Sequence, residues 1–145
     1  LLNVIKEIDV LTINDEEARL LSGELSLKKA ANKILTMGPK YLIIKKGEHG
    51  ALLFDKNNHV FSAPALLLEE VFDPTGAGDT FAGGFVGHLS TCDEIDWESM
   101  KKAIIVGSAM ASFTVEKFGI ERLISLDKSQ IESRINEFKS LVSFT

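Results

Sequence analysis

The sequence predicts an α/β layered fold whose sheet carries antiparallel hairpins at one edge. Three observations predict it. Short apolar runs alternate with helix-periodic stretches early in the chain, and helical patterns dominate afterwards. Turn-forming residues recur at short spacing from Lys45 to Ser62, as they do in hairpins. A run of small residues, Gly76, Ala77 and Gly78, links a strand-like stretch to a helix-like one, the kind of junction at which open α/β sheets bind ligands.

The elements follow in order. Ile8 to Ile13 reads as a buried strand. Asn14 opens a helix with Glu17 three residues on, the spacing of a capping box, and Ala18, Leu20 and Leu21 are assigned to its apolar face. Gly23 ends that helix, and Ser26 opens another that runs to about Met37, with Gly38 and Pro39 as its stop. Tyr41 to Ile44 is a second buried strand. The turn K-K-G-E-H-G follows, then strands at Ala51 to Phe54 and His59 to Ser62, broken at Asn57-Asn58. Thr80 to His88 continues the glycine turn as a helix. Gly83, Gly84 and Gly87 would each cost it about 1 kcal/mol against Ala, so the sequence predicts close approach of another backbone or a ligand there. Trp97 to about Phe118 reads as a long helix with Gly107, Ser108, Ala109 and Ala111 in its middle, and Gly119 as its stop. Asp127 caps a last amphipathic helix with Ile131, Ile135, Phe138 and Val142 facing inward.

Composition narrows the function classes. At 145 residues the chain is one domain's worth, and 45% hydrophobic with 26% charged residues is an ordinary globular balance. A net charge of −5 disfavours nucleic acid or an anionic membrane as partner, without arguing against a nucleotide held by local groups. No apolar run approaches the roughly 20 residues of a membrane span, and the N-terminal residues do not read as a signal peptide. The single cysteine, Cys92, cannot form an internal disulfide and fits a reducing cytoplasm. His49, His59 and His88 lack zinc-ligand spacing with it.

The strongest chemical signal is Phe72 to Gly84, F-D-P-T-G-A-G-D-T-F-A-G-G. With no side chain larger than a methyl group, Gly76 to Gly78 can turn backbone N–H groups toward one point at the positive end of the following helix, where phosphate charge can be held. Asp79 then stands in the first turn. A carboxylate beside an anion cradle suits acceptance of a proton, although on a generic G-A-G-D it is equally a helix-terminal charge. Two other glycine motifs are excluded: Phe81 stands where a dinucleotide fingerprint needs its third glycine, and Gly84 stands where a Walker loop needs lysine.

This string resembles closely the C-terminal signature of the ribokinase-like (PfkB-type) carbohydrate kinases. The chain resembles the C-terminal half of such proteins essentially end to end and begins without Met, so it is expected to be the nucleotide-binding and catalytic part, residues 1–145, of a longer kinase whose N-terminal acceptor-binding part and lid are absent. The resemblance implies a ribokinase-like layered fold with a central, mostly parallel sheet flanked by helices. It implies ATP-dependent phosphoryl transfer to a hydroxyl of a small sugar, with Asp79 as base and the N–H groups of Ala77, Gly78 and Asp79, behind Gly76, as the anion hole. Asn14 and Glu17 match the family's N-x-x-E motif near the phosphates and Mg²⁺, which Glu17 would serve directly or through water. Gly47 and Gly50 match its G-x-x-G turn along ATP, with Lys45 where Thr or Ser is frequent. Asp73 corresponds to a monovalent-cation site, K⁺ in kind, completed by backbone oxygens of residues 115–119. Ser108 falls in the adenine pocket, where many members have Asn. Alternatives are a nucleoside kinase of the adenosine type or a nucleotide-binding fragment without turnover. The implied partners are ATP and a small hydroxyl-bearing substrate, with no nucleic acid, no membrane and a homodimer for the full-length protein.

Overall fold

The computed structural model describes residues 2–144. They fall into two compact units that divide between Ser62 and Ala63.

In the first unit a short helix α1 (Leu2–Ile5) precedes strand β1 (Val10–Asn14), helices α2 (Asp15–Ser22) and α3 (Leu27–Leu35), and strands β2 (Tyr41–Lys45), β3 (Ala51–Asp55) and β4 (Val60–Ala63), the last residue of which begins the second unit. The four strands make one mixed sheet in the order β1-β2-β3-β4. β1 and β2 run parallel, with Val10 opposite Tyr41 and Asn14 opposite Lys45. β2 and β3 are antiparallel, with Leu42 opposite Phe54 and Lys45 opposite Ala51. A parallel pair needs a long crossover, and α2 and α3 supply it; the K-K-G-E-H-G turn suffices for the antiparallel pair.

Period-two alternation places Leu42, Ile44 and Phe54 on one sheet face, where Ala18 of α2 and Ala31, Ile34 and Leu35 of α3 cover them. Ile43 and Leu53, on the opposite face, are also fully buried. Both helices start where side chains accept first-turn N–H groups: Ser26 Oγ takes the N–H of Lys29, and Asn14 caps α2. Gly23 closes α2 at φ +72°, a left-handed conformation that glycine adopts without a Cβ clash. The apolar face of α2 is narrower than expected. Ala18 and Leu21 share the core face, whereas Leu20 is 84% exposed. Positions three apart meet on a helix and neighbours do not, so the step from Leu21 back to Leu20 leaves the buried face.

The second unit is helical: α4 (Ala77–Leu89), α5 (Trp97–Thr114), α6 (Glu121–Ile124) and α7 (Lys128–Val142). Helices α4 and α5 approach closely through glycine. A Cβ built on Gly84 would lie 2.9 Å from Met110 Cγ and 3.1 Å from Gly107 Cα, and one on Gly107 would lie 2.7 Å from the carbonyl oxygen of Phe81. The expected backbone approach is therefore found at Gly84, while Gly83 and Gly87 face open space. Helix α5 ends at Thr114, short of Phe118, because the next residues turn out to make long-range contacts described below. In α7, Asp127 forms its capping box with Gln130, and Phe138 is fully buried. Val142, expected inward, is exposed at the last turn, where nothing among the described residues covers it.

Candidate active site

In the first unit, five residues singled out from the sequence gather at one end of the sheet. Asn14 ends β1 and Lys45 ends β2, and the two are register partners at the carboxyl ends of parallel strands. Glu17 stands three residues into the chain beyond Asn14. The Asn14 N–H donates to Glu17 Oε2 (2.8 Å) and the Glu17 N–H donates to Asn14 Oδ1 (2.7 Å), a complete capping box. One carboxylate oxygen of Glu17 is therefore engaged, and its side chain is exposed. The turn after Lys45 is closed on itself: Lys46 N–H donates to Gly50 O, His49 N–H to Lys46 O, and Gly50 N–H to Gly47 O. Gly47 at φ +55° begins its 3₁₀ turn (Gly47–His49), and Gly50 at φ 87°, ψ −148° occupies a region open essentially to glycine alone. His49 is exposed and lies 3.7 Å from Glu48.

In the second unit the glycine-rich turn starts α4. Gly76 is its N-cap at φ +81°, with no side-chain cap. Ala77 departs from the expected anion hole, since its N–H donates to the Pro74 carbonyl (3.2 Å) and so closes the preceding turn. Among the described residues the N–H groups of Gly78 and Asp79 have no acceptor. They are unsatisfied first-turn donors of a thirteen-residue helix and carry its positive end. The Asp79 carboxylate is exposed and makes no hydrogen bond or ion pair among the described residues. It does not cap the helix, so it is uncommitted.

Asp73 Oδ1 accepts the Thr75 N–H (2.9 Å). That N–H, and after it the Thr75 hydroxyl, hold the Asp73 carboxyl below its ordinary range. The Phe72 N–H donates to Val115 O (2.9 Å), and the rings of Phe72 and Phe118 meet edge to face at 6.3 Å. These contacts bring the stretch before Asp73 alongside residues 115–118. No group of three or more His, Cys, Asp or Glu positioned for a metal occurs among the described residues.

In the middle of α5 one small residue meets the neighbouring helix. The open side of Gly107 is filled by Phe81 of α4, whose ring carbons would lie 3.1 and 3.2 Å from an added Cβ. Gly107 thus serves the packing of α5 on α4. Ser108, half-buried, is the next residue along.

Residues that sequence reading passed over fasten this turn. Thr114 donates its hydroxyl to Thr80 Oγ1 (2.9 Å), and Thr80 donates to Gly76 O (3.0 Å). Glu116 receives Arg122 Nε (2.9 Å) and Arg134 from α7, and both guanidinium groups stack on Phe113 at 5.0 and 4.0 Å. Burial opposes the charge of Glu116, but the hydrogen bonds from Arg134 and then Arg122 win and lower its pKa. No local pattern marks the Thr114–Thr80 and Arg134–Glu116 pairs, which lie 34 and 18 residues apart.

Residues 1–125 match the model of the family described as pfkB family carbohydrate kinase. The ribokinase of Staphylococcus aureus is 35% identical over 126 residues, covering 82% of this chain and 39% of the relative. The cytidine kinase of Thermococcus kodakarensis is 30% identical over 116 residues, covering 80% of this chain and 40% of the relative. A crystal structure of aminoimidazole riboside kinase from Salmonella enterica, complexed with aminoimidazole riboside and an ATP analogue, superposes with a TM-score of 0.78 at 26% identity over 92% of this chain and 44% of its own. The chain thus spans about two-fifths of the length of the relatives it matches.

Proposed function

The chain belongs to the pfkB family of carbohydrate kinases, and from that premise we propose that it serves ATP-dependent phosphoryl transfer to a hydroxyl of a small sugar or nucleoside. One observation carries this reading: the α4 start joins two N–H groups without acceptors to an uncommitted carboxylate in the same turn. Donors of that kind suit a phosphoryl group, and a free carboxylate beside them suits an acceptor proton.

The mechanism follows from these groups. The acceptor hydroxyl lies against Asp79, whose carboxylate takes its proton as the oxygen attacks phosphorus. The bond from phosphorus to the bridging oxygen of the nucleotide breaks, and ADP leaves with that electron pair. The N–H groups of Gly78 and Asp79 hold the equatorial oxygens of the transferring group, fixed in place before charge shifts. The Ala77 N–H joins them once it leaves the Pro74 carbonyl. In the first unit, Lys45 at the strand end would offer phosphate a point charge, and Gly47 and Gly50 would let backbone approach a nucleotide.

Mg²⁺ bound with ATP offsets charge between the phosphates. The residues present fit it through water: Glu17 has one oxygen in the capping box and an exposed side chain, and Asn14 is engaged with Glu17. A K⁺ site would take the Asp73 carboxylate and carbonyls of residues 115–119, which the Phe72–Val115 bond brings alongside. Ser108 would meet the base more weakly than an amide does.

The test is turnover of pentoses, hexoses and nucleosides with ATP–Mg²⁺ by the intact protein and by Asp79→Asn. The variant should lose about 10²–10⁴-fold in kcat while ATP binding persists, because proton acceptance is removed with little volume. A variant that keeps more than about a tenth of wild-type turnover would overturn the assignment of Asp79 as base.

A further inference from the structure

The glycine turn is not stiff on its own account. Gly76 is left-handed and uncapped, and no side chain of residues 76–78 can anchor it. Inside the stretch the Gly76 carbonyl accepts the Thr80 N–H (2.9 Å) and the Ala77 N–H donates to Pro74 O (3.2 Å); what fixes the rest of its aim is what holds the two ends, Phe72 and Thr80. Both ends are held by consecutive residues at the close of α5. Val115 accepts the Phe72 N–H at the near end (2.9 Å). Thr114 donates to Thr80 at the far end (2.9 Å), and Thr80 in turn donates to the Gly76 carbonyl (3.0 Å). The next residue, Glu116, is clamped by Arg122 and Arg134, so the run itself has a fixed seat.

We propose that Thr114 is a positioning residue for phosphoryl transfer: through the hydroxyl of Thr80 it fixes the Gly76 peptide, and thereby the aim of the Gly78 and Asp79 N–H groups and of the Asp79 carboxylate. The inference rests on the kinase reading above. Thr114 is 4% exposed and acts only through Thr80. Among the described residues its hydroxyl ties the buried end of α5 to the hydroxyl bonded to Gly76. A chain of two hydroxyls also polarises along its length, so losing the inner one weakens the outer bond to the Gly76 carbonyl. A peptide freer to rotate leaves the donors spread over orientations, and the transition state feels that loss more than ground-state binding does.

The experiment uses the intact protein and five variants: T114V, T114S, T80V, the double variant T114V/T80V, and D79N. Valine keeps the shape of Thr114 and removes the hydroxyl; serine keeps the hydroxyl. T114V should lower kcat roughly three- to tenfold, the fold-change one net hydrogen bond is worth, with KM for ATP changed less than about twofold. T114S should restore kcat to within about twofold of wild type. T80V breaks the same chain from its exposed end, so T114V/T80V should be no slower than T80V alone. T80V also carries the test if T114V does not fold, a fall in kcat at constant KM supporting the proposal and an unchanged kcat overturning it. A T114V enzyme with wild-type kcat, or a T114S enzyme as slow as T114V, overturns the proposal, the latter because methyl packing rather than the hydroxyl would then matter. The D79N arm separates the two readings. If D79N is inactive and T114V is normal, the kinase reading stands and this inference falls. If wild type shows no transfer, or D79N transfers normally, both fall.

Discussion

The two glycine turns look alike in sequence and differ in how they are held. The turn at residues 46–50 satisfies itself: the N–H groups of Lys46, His49 and Gly50 donate to its own carbonyls, and its helical part is a three-residue 3₁₀ turn, Gly47–His49, with strand β3 behind it. The Gly76–Gly78 turn sends just one N–H, that of Ala77, back to a local carbonyl. It leaves two donors without acceptors, backed by a thirteen-residue helix, and is bonded to the end of α5 through Thr80. Glycine content is therefore a poor guide to anion binding. What matters is where the N–H groups go and whether a helix long enough to carry a dipole stands behind them.

The sharpest way to break this comparison is to disturb each turn by its own means of support. Gly107→Ala puts a methyl group 2.7 Å from the Phe81 carbonyl oxygen, so α4 must shift against α5. Overpacking of this kind should cost about 1–3 kcal/mol, with turnover falling as the anion turn moves. Gly50→Ala forces an alanine into φ 87°, ψ −148° and should cost a similar roughly 1–3 kcal/mol, but locally. Denaturant melts paired with kinetics check the contrast: Gly107→Ala should lower kcat, and Gly50→Ala should raise KM for ATP.

A smaller effect is expected at Asn14 and Glu17. Glu17→Gln keeps a side chain that can complete the capping box, so its melting curve should match wild type, whereas Glu17→Ala should lose up to about 1 kcal/mol. If Glu17 also serves the metal, Glu17→Gln raises the Mg²⁺ concentration for half-maximal rate. A Gln variant with unchanged metal dependence would leave only the structural role. Gly83→Ala faces open space inside a helix and should stabilise by up to about 1 kcal/mol, marking the opposite sign to Gly107 on the partner helix.

The last test is acid stability. The folded pKa of Glu116 lies below its ordinary 4.5, so the unfolded chain binds the proton more readily. The clamp's contribution is whole above about 4.5 and is lost as pH falls through the lowered folded value. Glu116→Gln should therefore flatten this part of the acid limb of a Tm-against-pH curve. An acid limb identical to wild type would show that the Arg122 and Arg134 contacts contribute little.

Helix starts were legible because caps are local. Asn14 with Glu17, Ser26, and Asp127 each bond a backbone N–H three residues on, and residues that close together in the chain declare the bond in sequence. The start of α4 at the glycine turn was legible for the same reason, as were β1 and β2, whose apolar runs suit a buried sheet, whereas the strand-like stretch read before the glycine turn forms no strand. Tertiary structure alone decided the rest. It chose Gly84 over Gly83 and Gly87 for the helix crossing, turned the Ala77 N–H to Pro74, and left Leu20 and Val142 exposed. It also joined Thr114 to Thr80 and Glu116 to Arg134, pairs 34 and 18 residues apart. A helix period says which residues share a face. Which face meets which neighbour depends on packing between distant segments, and that depends on the whole chain at once.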